Sequence, residues 1–225
     1  MTRKTTGSGI AATSTIAGYV TAGGQSKRFG RDKASVILGG EMMLARMCRL
    51  VKEATGSVTV VADRESRYAE LDVWVVEDLW PGEGPLGGIV TALRATQETD
   101  GGRDWNLIVS CDMPFLTGEF LTYLIGRALT SYAKAIVPES AHGREPLCAC
   151  WRTSAVAELQ AAFEGGMRRV NDALKLLNAE VLDESHWKRF DSAGRLFWNM
   201  NTPADHAEAQ RILSGDQRVS ESEPT

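Results

Sequence analysis

The segment TSTIAGYVTAGGQSKRFGRDK, residues 13–33, joins a strand pattern to a loop of glycines and cations. The β-branched and apolar residues up to Val20 predict a first β-strand. Gly23 and Gly24 then allow a tight turn and a close approach of the backbone to a ligand. Hydroxyl and cationic side chains follow on the same short loop: Ser26, Lys27, Arg28, Arg31 and Lys33.

Backbone N–H groups in such a turn form an anion site, and the cations add charge to it. A solvated basic loop is the alternative. The position of the loop after a strand favours a ligand site, because open α/β sheets bind ligands at the carboxyl ends of their strands. We therefore expect this loop to hold a triphosphate.

The composition excludes several broad classes. The chain has 225 residues, 43% hydrophobic and 24% charged, which is typical of globular proteins. A formal net charge of −4 gives no case for binding nucleic acid or a membrane surface, and no apolar run reaches transmembrane length. We expect one domain over residues 15–213, between flexible tails at residues 1–14 and 214–225.

Cysteine and histidine usage gives no metal or disulfide pattern. The four cysteines, Cys48, Cys111, Cys148 and Cys150, form no CxxC pair, and the three histidines are scattered. Buried free thiols are the expected state. With no apolar core of a secretory signal near the N-terminus, the sequence predicts a protein of the reducing cytoplasm.

Strand-like and helix-like segments alternate along the chain. Strands are predicted over residues 15–20, 58–62, 73–76, 105–110, 135–138 and 147–151. Helices are predicted over residues 41–55, 89–97, 120–129, 154–163, 170–177 and 203–213. This alternation predicts a three-layer α/β/α sandwich around a Rossmann-like, mostly parallel sheet.

Two acidic residues follow predicted strands. Asp112 closes the apolar strand WNLIVSCD, and Asp78 follows the strand that ends at Glu77. A carboxylate at such a strand end is a natural Mg²⁺ ligand beside a phosphate loop, which favours this role for Asp112 over a simple turn cap. Asp78 is placed to bond a sugar hydroxyl or a base edge. The peptide groups of residues 84–88 are placed to read a base.

The same glycine-rich loop contains a formal GxGxxG pattern at Gly82, Gly84 and Gly87, which raises an NAD-binding oxidoreductase as an alternative. Pro85 argues against it, since proline removes an N–H that a pyrophosphate would need. The acidic candidate farther on, Asp104, precedes a strand instead of ending one. No Walker motif is present, which argues against a P-loop ATPase.

The C-terminal part adds amides and arginines. Asn199 and Asn201 alternate, so an extended segment would present both amides on one side. Thr202-Pro203 predicts a helix start, and a loop that satisfies its own backbone is the alternative for the asparagines. Arg144 and Arg168 are candidates to grip a second anionic substrate, with ordinary surface arginines as the alternative.

These segments together resemble the molybdenum cofactor guanylyltransferases, within the glycosyltransferase-A-like nucleotidyltransferases. The resemblance rests on six ordered blocks that span nearly the whole chain outside the tails: AGGQSKRFGRDK, GPLGGI, CDMP, GREPL, GGMRRV and NMNTPAD. It implies transfer of GMP from GTP to the terminal phosphate of molybdopterin, with Mg²⁺ as the metal. It also implies partners among other molybdenum-cofactor enzymes.

The resemblance implies specific roles for site residues. Lys33, Asp112 and Arg28 would be catalytic, with Asp112 as the metal ligand. The substrate-binding residues would be Ala22, Gly23, Gly24, Ser26, Lys33, Asp78, Gly84, Pro85, Leu86, Gly87, Arg144, Arg168, Asn199 and Asn201. Cytidylyl transfer to the same cofactor and nucleotidyl transfer to another phosphorylated small molecule stay open. A non-catalytic cofactor carrier is a further alternative.

Overall fold

The computed structural model describes residues 16–23, 32–64, 68, 70–99, 103–191 and 193–215. Several predictions fall outside these residues. They are the tail at residues 1–14, nearly all of the tail at residues 214–225, and the loop positions Gly24, Ser26, Lys27, Arg28 and Arg31. The first predicted strand is described from Ile16 onward.

The described residues form ten strands. They are β1 (Ile16–Thr21), β2 (Ile37–Leu38), β3 (Glu41–Met42), β4 (Thr59–Ala62), β5 (Trp74–Glu77), β6 (Trp105–Ser110), β7 (Ala135–Ser140), β8 (Gly143–Arg144), β9 (Cys148–Arg152) and β10 (Ala179–Leu182). The main sheet has the order β10-β7-β9-β6-β1-β4-β5, with β8 paired to β7. On this path β9 alone runs antiparallel to its neighbours, so the sheet is mostly parallel, as predicted.

Helices cover both faces of this sheet. They are α1 (Met43–Thr55), α2 (Pro85–Thr99), α3 (Gly118–Thr130), α4 (Val156–Glu164), α5 (Val170–Leu174), α6 (Glu184–Trp187) and α7 (Pro203–Leu213). Buried residues of α1, α3 and α6 form a core on one face, and those of α2, α4 and α5 form a core on the other. The predicted three-layer α/β fold is confirmed. None of the helices in the described part of the chain is both long and apolar enough to cross a membrane.

Burial on both faces explains why the central strand β6 is largely apolar and carries no charged residue. All six residues of β6 are buried. Leu107 faces the α1–α3 core and Ile108 faces the α2–α4 core, because successive side chains point to opposite faces of a strand. Both faces are covered by helices, which leaves no solvent-facing position to carry a charge.

Some element boundaries differ from the predicted ones. Helix α2 begins at Pro85 instead of residue 89, because proline suits the first turn of a helix, where its missing N–H costs nothing. Helix α1 begins at Met43 instead of residue 41. The two residues before it pair with β2 as a hairpin through Gly39 and Gly40, which have φ values of 60° and 84°.

The end of the chain combines a confirmed helix with elements that the apolar pattern did not predict. Helix α7 has the predicted bounds, with Thr202 as N-cap and Pro203 in the first turn. Strand β10 and helix α6 were not predicted, because β10 is half-exposed along three of its four residues and α6 has only four residues. The four cysteines are free and buried, as predicted.

Two glycines provide a matched test of the packing between β1 and α1. A Cβ at Gly18 would lie 2.4 Å from Thr55 Oγ1 and 2.6 Å from Ser57 O, whereas a Cβ at Gly126 of α3 would meet nothing within 4 Å. We expect Gly18→Ala to lower the free energy of unfolding by about 3 kcal/mol through overpacking. Gly126→Ala should raise it by up to about 1 kcal/mol through helix propensity.

Urea unfolding of both variants measures the difference. A Gly18→Ala protein as stable as the wild type would contradict the close approach of β1 to α1.

Candidate active site

A cleft of about 620 Å³ opens at the carboxyl ends of β1, β4 and β6. The residues that line it come from several separate stretches of the chain: Thr21, Ala22, Gly23, Asp32, Lys33, Ala34, Val61, Asp78, Gly82, Gly84, Pro85, Gly88, Ser110, Cys111, Asp112 and Leu147. This is the edge of the sheet at which the sequence placed a phosphate site. The three predicted motifs at strand ends therefore meet in one cavity.

Backbone hydrogen bonds hold the strand ends together. Strands β1 and β6 pair in parallel along their whole length, from Ile16 opposite Trp105 to Thr21 opposite Ser110. Beyond the last pair, the Cys111 N–H donates to Thr21 O at 3.1 Å, and the Ala22 N–H donates to Val61 O at 2.9 Å. The residues that follow these strands are thus fixed relative to one another.

Lys33 and Asp112 form a charge pair within the cleft. Lys33 Nζ lies 4.0 Å from Asp112 Oδ2 and donates a hydrogen bond of 2.7 Å to Asn201 Oδ1. Ser110 Oγ donates to Asp112 Oδ1 at 2.6 Å and fixes the carboxylate from the strand side. The Lys33 and Asp112 side chains are only 17% and 21% exposed, so solvent screens their charges less than it would on an open surface.

The C-terminal motif reaches the same place. The Met200 N–H donates to Asp112 O at 2.9 Å, and this bond brings Asn201 beside Lys33. Asp205 accepts hydrogen bonds from the backbone N–H groups of Asn201 and Thr202, both at 2.7 Å. Burial raises the pKa of Asp205, but these hydrogen bonds outweigh it and lower the pKa overall. The Asp205 carboxylate therefore stays ionised and holds the Asn201 backbone.

Asp112 offers the kind of oxygen donor that Mg²⁺ prefers. Among the described residues no group of three or more His, Cys, Asp or Glu side chains is placed to hold a metal ion. Asp112 offers carboxylate oxygen, and Mg²⁺ commonly binds through one or two carboxylates while substrate phosphates and water complete its shell. The donor set therefore fits Mg²⁺ that arrives with a polyphosphate.

Asp78 lies on the other side of the cleft. It is 9% exposed, and its Oδ1 accepts hydrogen bonds of 3.1 Å from the Trp80 N–H and from Thr91 Oγ1. Its Oδ2 faces Gly23, where an added Cβ would lie 3.8 Å from it. The two hydrogen bonds to Oδ1 thus orient the carboxylate, so that Oδ2 points toward the glycine turn after β1.

The glycine-rich loop brings the start of α2 to the cleft. Gly82 and Gly84 have φ values of 82° and 103°, which favour glycine, and both line the cavity together with Pro85. Leu86 is fully buried in the α2 core, and Gly87 packs against Trp80 and Phe163. The first turn of α2 therefore presents its positive dipole end to the cavity, which favours an anion there.

Arg168 contacts this loop and does not line the cleft. Its Nη2 donates to Glu83 Oε2 at 2.6 Å, and its Nη1 donates to Phe163 O at 2.7 Å. The guanidinium also stacks over the Phe163 ring at 4.0 Å from the centroid, and that ring contacts Trp80 at 4.7 Å. Arg168 thus ties the glycine-rich loop to the end of α4.

The other predicted residues have local partners. Arg144 lies on β8, with Nε 3.9 Å from Glu139 Oε1 of the paired strand. Asn199 Nδ2 donates to Phe197 O at 3.3 Å within its own loop, so Asn201 is the asparagine that contacts Lys33. The predicted Gly24, Ser26 and Arg28 lie outside the described residues.

Sequence reasoning missed two residues that orient the charge pair. Asp32 caps the short 3₁₀ helix Lys33–Ser35 by accepting from the Ala34 N–H at 3.1 Å. An aspartate directly before a helical turn is the signal that would have identified it. Ser110 lies two residues before Asp112, a spacing that places both side chains on one side of an extended chain.

The surroundings of the Cys111 thiol in the cleft disfavour its thiolate form. Burial raises the pKa of Cys111 well above its ordinary value, and the nearby carboxylates of Asp112 and Asp32 raise it further. The thiolate, not the thiol, is the reactive form of cysteine. The charges that the described part of the cleft offers to a ligand include those of Lys33 and Asp112 and the dipole of α2.

The cleft brings a glycine turn, an ammonium–carboxylate pair and a helix N-terminus to one edge of a mostly parallel sheet, an arrangement suited to an anionic ligand. The family model described as the MobA-like NTP transferase domain matches residues 18–179, and the chain belongs to this family of nucleotidyltransferases. The match covers the cleft from β1 to the start of β10.

Individual proteins agree with this assignment. A probable molybdenum cofactor guanylyltransferase from Chloroflexus aggregans is 32% identical over 204 residues, which cover 88% of this chain and 95% of that protein. The crystal structure of molybdopterin-guanine dinucleotide biosynthesis protein A from Archaeoglobus fulgidus matches with a TM-score of 0.75 at 27% identity, over 88% of this chain and 99% of that one.

The fold extends to more distant enzymes. The 2-C-methyl-D-erythritol 4-phosphate cytidylyltransferase from Thermus thermophilus matches with a TM-score of 0.61 at 15% identity, over 88% of this chain and 98% of that one. At this identity the likeness concerns the fold alone.

The contact between Arg168 and Glu83 is testable through nucleotide affinity. We expect Arg168→Gln to raise the Kd for nucleoside triphosphate about tenfold, because it removes a charge-assisted bond and a stacking contact that hold the loop. The matched control is Arg94→Gln, which breaks an exposed pair with Glu98 farther along α2 and should change the Kd less than about twofold. Calorimetric titration measures both, and equal effects would show that the contact does not position the loop.

Proposed function

We propose that this protein transfers GMP from GTP to the terminal phosphate of molybdopterin and releases pyrophosphate. The observation that carries the proposal is the Lys33–Asp112 pair, 4.0 Å apart in the cleft at the carboxyl ends of β1, β4 and β6. The comparisons support the proposal through a relative that is 32% identical to this chain and is named a probable molybdenum cofactor guanylyltransferase. Both point to phosphoryl chemistry on a nucleotide in this cleft.

The reaction is an in-line displacement at the α-phosphorus. A phosphate oxygen of the acceptor forms a bond to this phosphorus, and the bond to the bridging oxygen of pyrophosphate breaks, so the electron pair leaves with pyrophosphate. A phosphate acceptor is already ionised at neutral pH and needs no strong general base. A cleft whose described lining contains no histidine is suited to this chemistry.

The residues of the cleft act through position and charge. Lys33 would hold the leaving pyrophosphate and would stabilise the charge that develops as the bond breaks, and Arg28 is the second candidate for this role. Asp112 would hold Mg²⁺ together with the substrate phosphates, and the metal would supply further positive charge there. Asn201 holds Lys33 Nζ at 2.7 Å, so the ammonium is in place before the nucleotide arrives.

The base would lie against the glycine-rich loop. Asp78 directs Oδ2 toward the turn at Gly23, where it would accept from a ribose hydroxyl or from the N–H groups of guanine. Gly84 and Pro85 line this side, and the peptide groups of Leu86 and Gly87 follow in the first turn of α2. Ala22 and Gly23 would pass close to the phosphates, followed by Gly24 and Ser26.

The pterin would approach from the side of β8 and the C-terminal motif. Arg144 and Asn199 are the candidates for its anionic and polar groups, and Asn201, which contacts Lys33, would face the phosphates. The contact of Arg168 with Glu83 favours a role in holding the base loop over direct contact with pterin. We place the reaction in the cytoplasm, where the four free thiols would stay reduced and other molybdenum-cofactor enzymes would receive the product.

Nucleotide selectivity tests the proposal. Purified protein with Mg²⁺ is titrated with GTP, CTP, ATP and NAD, and pyrophosphate release is measured with molybdopterin as acceptor. We expect preference for GTP, with pyrophosphate release that depends on the acceptor. Preference for CTP would replace guanylyl by cytidylyl transfer, binding of NAD alone would favour an oxidoreductase, and binding of pterin without turnover would favour a carrier.

Two substitutions test the charge pair. Asp112→Ala should abolish turnover, and Lys33→Ala should lower kcat about a hundredfold and weaken GTP binding, because each removes charge that stabilises the transition state. Asp104→Ala is the control, since Asp104 directly precedes β6 at the end of the strand opposite the cleft.

Circular dichroism establishes that each variant is folded. Substantial turnover by folded Asp112→Ala would refute the metal role. An unchanged rate of Lys33→Ala at saturating GTP would remove Lys33 from the transition state.

A further inference from the structure

Tyr68 contacts the chain on both sides of the segment 24–31 without lining the cleft itself. It lies between β4 and β5, and its side chain is packed in the α1–α3 core at 4% exposure. Its hydroxyl donates to Asp32 Oδ2 at 2.9 Å and lies 3.5 Å from Ala22 O. One buried hydroxyl thus connects the residue after β1 with the residue before Lys33.

Asp32 connects the Tyr68 hydroxyl to the short helix that begins at Lys33. Its Oδ1 accepts from the Ala34 N–H at 3.1 Å, and Ser35 Oγ donates to its Oδ2 at 3.3 Å. These bonds form the N-cap of the short helix that begins at Lys33. The Asp32 carboxylate therefore helps to fix the first residue of this short helix, Lys33. The position of the Lys33 backbone in turn limits where the Lys33 side chain can lie.

The backbone of Tyr68 is held in an unfavourable conformation. Its φ value is 63°, and it is the one residue other than glycine with a positive φ in the described part of the chain. A bulky residue rarely adopts the left-handed region, and such outliers cluster at functional sites. The Leu71 N–H donates to Tyr68 O at 2.9 Å and helps to hold this turn, which directs the ring into the core.

We propose that Tyr68 is a positioning residue for Lys33, which acts through the Asp32 carboxylate to set the ammonium against Asp112 and the substrate phosphates. This inference rests on the proposed role of Lys33 in guanylyl transfer. A hydrogen bond to a carboxylate is stronger than one between neutral groups, and burial of the hydroxyl strengthens it further. Lys33 acts mainly on the leaving group, so its misplacement lowers kcat more than it raises KM.

A double-mutant cycle tests this chain of contacts. Tyr68→Phe keeps the ring and removes the hydroxyl. We expect it to lower kcat about tenfold, with KM for GTP raised less than about threefold. In the Lys33→Ala background the same substitution should change kcat and the GTP Kd less than about twofold. In that background the ammonium group that Tyr68 positions is absent, so loss of the Tyr68 hydroxyl has no further effect. The control is Tyr132→Phe, whose side chain is 96% exposed.

A second variant guards against misfolding of the first. Asp32→Asn keeps an oxygen to cap the Ala34 N–H but loses the charge that the Tyr68 hydroxyl contacts. We expect it to lower kcat in the same direction as Tyr68→Phe, with a thermal midpoint close to that of the wild type.

The outcomes separate this inference from the proposed function. Tyr68→Phe with wild-type kcat, or with the same loss in both backgrounds, overturns the positioning role while wild-type turnover stands. A wild-type protein that neither binds GTP nor releases pyrophosphate overturns the proposed function and this inference with it. Loss of kcat that disappears in the Lys33→Ala background supports the inference.

Discussion

The parallel pairing of β1 with β6 is the constraint on which the rest of the site depends. Six consecutive residue pairs fix the two strands in register, so the turn at Gly23 and the carboxylate of Asp112 emerge at the same height of the sheet. A parallel pair needs a long crossover connection, and this chain uses that crossover to build α1, β4, β5 and α2. The cleft is thus made by residues distant in sequence, and the register of two buried strands controls its geometry.

Hydrogen bonds from neighbouring residues orient the charged groups of the cleft. Ser110 fixes one oxygen of Asp112, Thr91 fixes one oxygen of Asp78, and Asn201 accepts from Lys33. Groups held in this way need little rearrangement when a charged ligand binds, which is the condition for efficient charge stabilisation. The capping box at Thr202 and Asp205 extends the same support to the C-terminal motif. The cleft is therefore preorganised by hydrogen bonds to its charged groups.

The sequence predicted the parts of this arrangement that depend on local pattern. The largely apolar sequence of β6 predicted a buried strand and placed Asp112 at its end, and Thr202-Pro203 predicted the start of α7. Contacts between distant segments could not be predicted, because no local pattern encodes them. The contact of Lys33 with Asn201 depends on the path of the C-terminal segment, and that of Arg168 with Glu83 depends on the packing of α4 against α2. Alternation grouped Asn199 with Asn201, yet Asn199 bonds within its own loop.

The central claim is that the ends of β1 and β6 hold the triphosphate between Lys33 and Asp112. A crystal structure of the protein with Mg²⁺ and a non-hydrolysable GTP analogue tests it most directly. The account predicts phosphate oxygens within hydrogen-bond distance of Lys33 Nζ, a metal ion on Asp112, and the base against the glycine-rich loop beside Asp78. Phosphates bound away from Lys33, or a metal ion that does not contact Asp112, would contradict it.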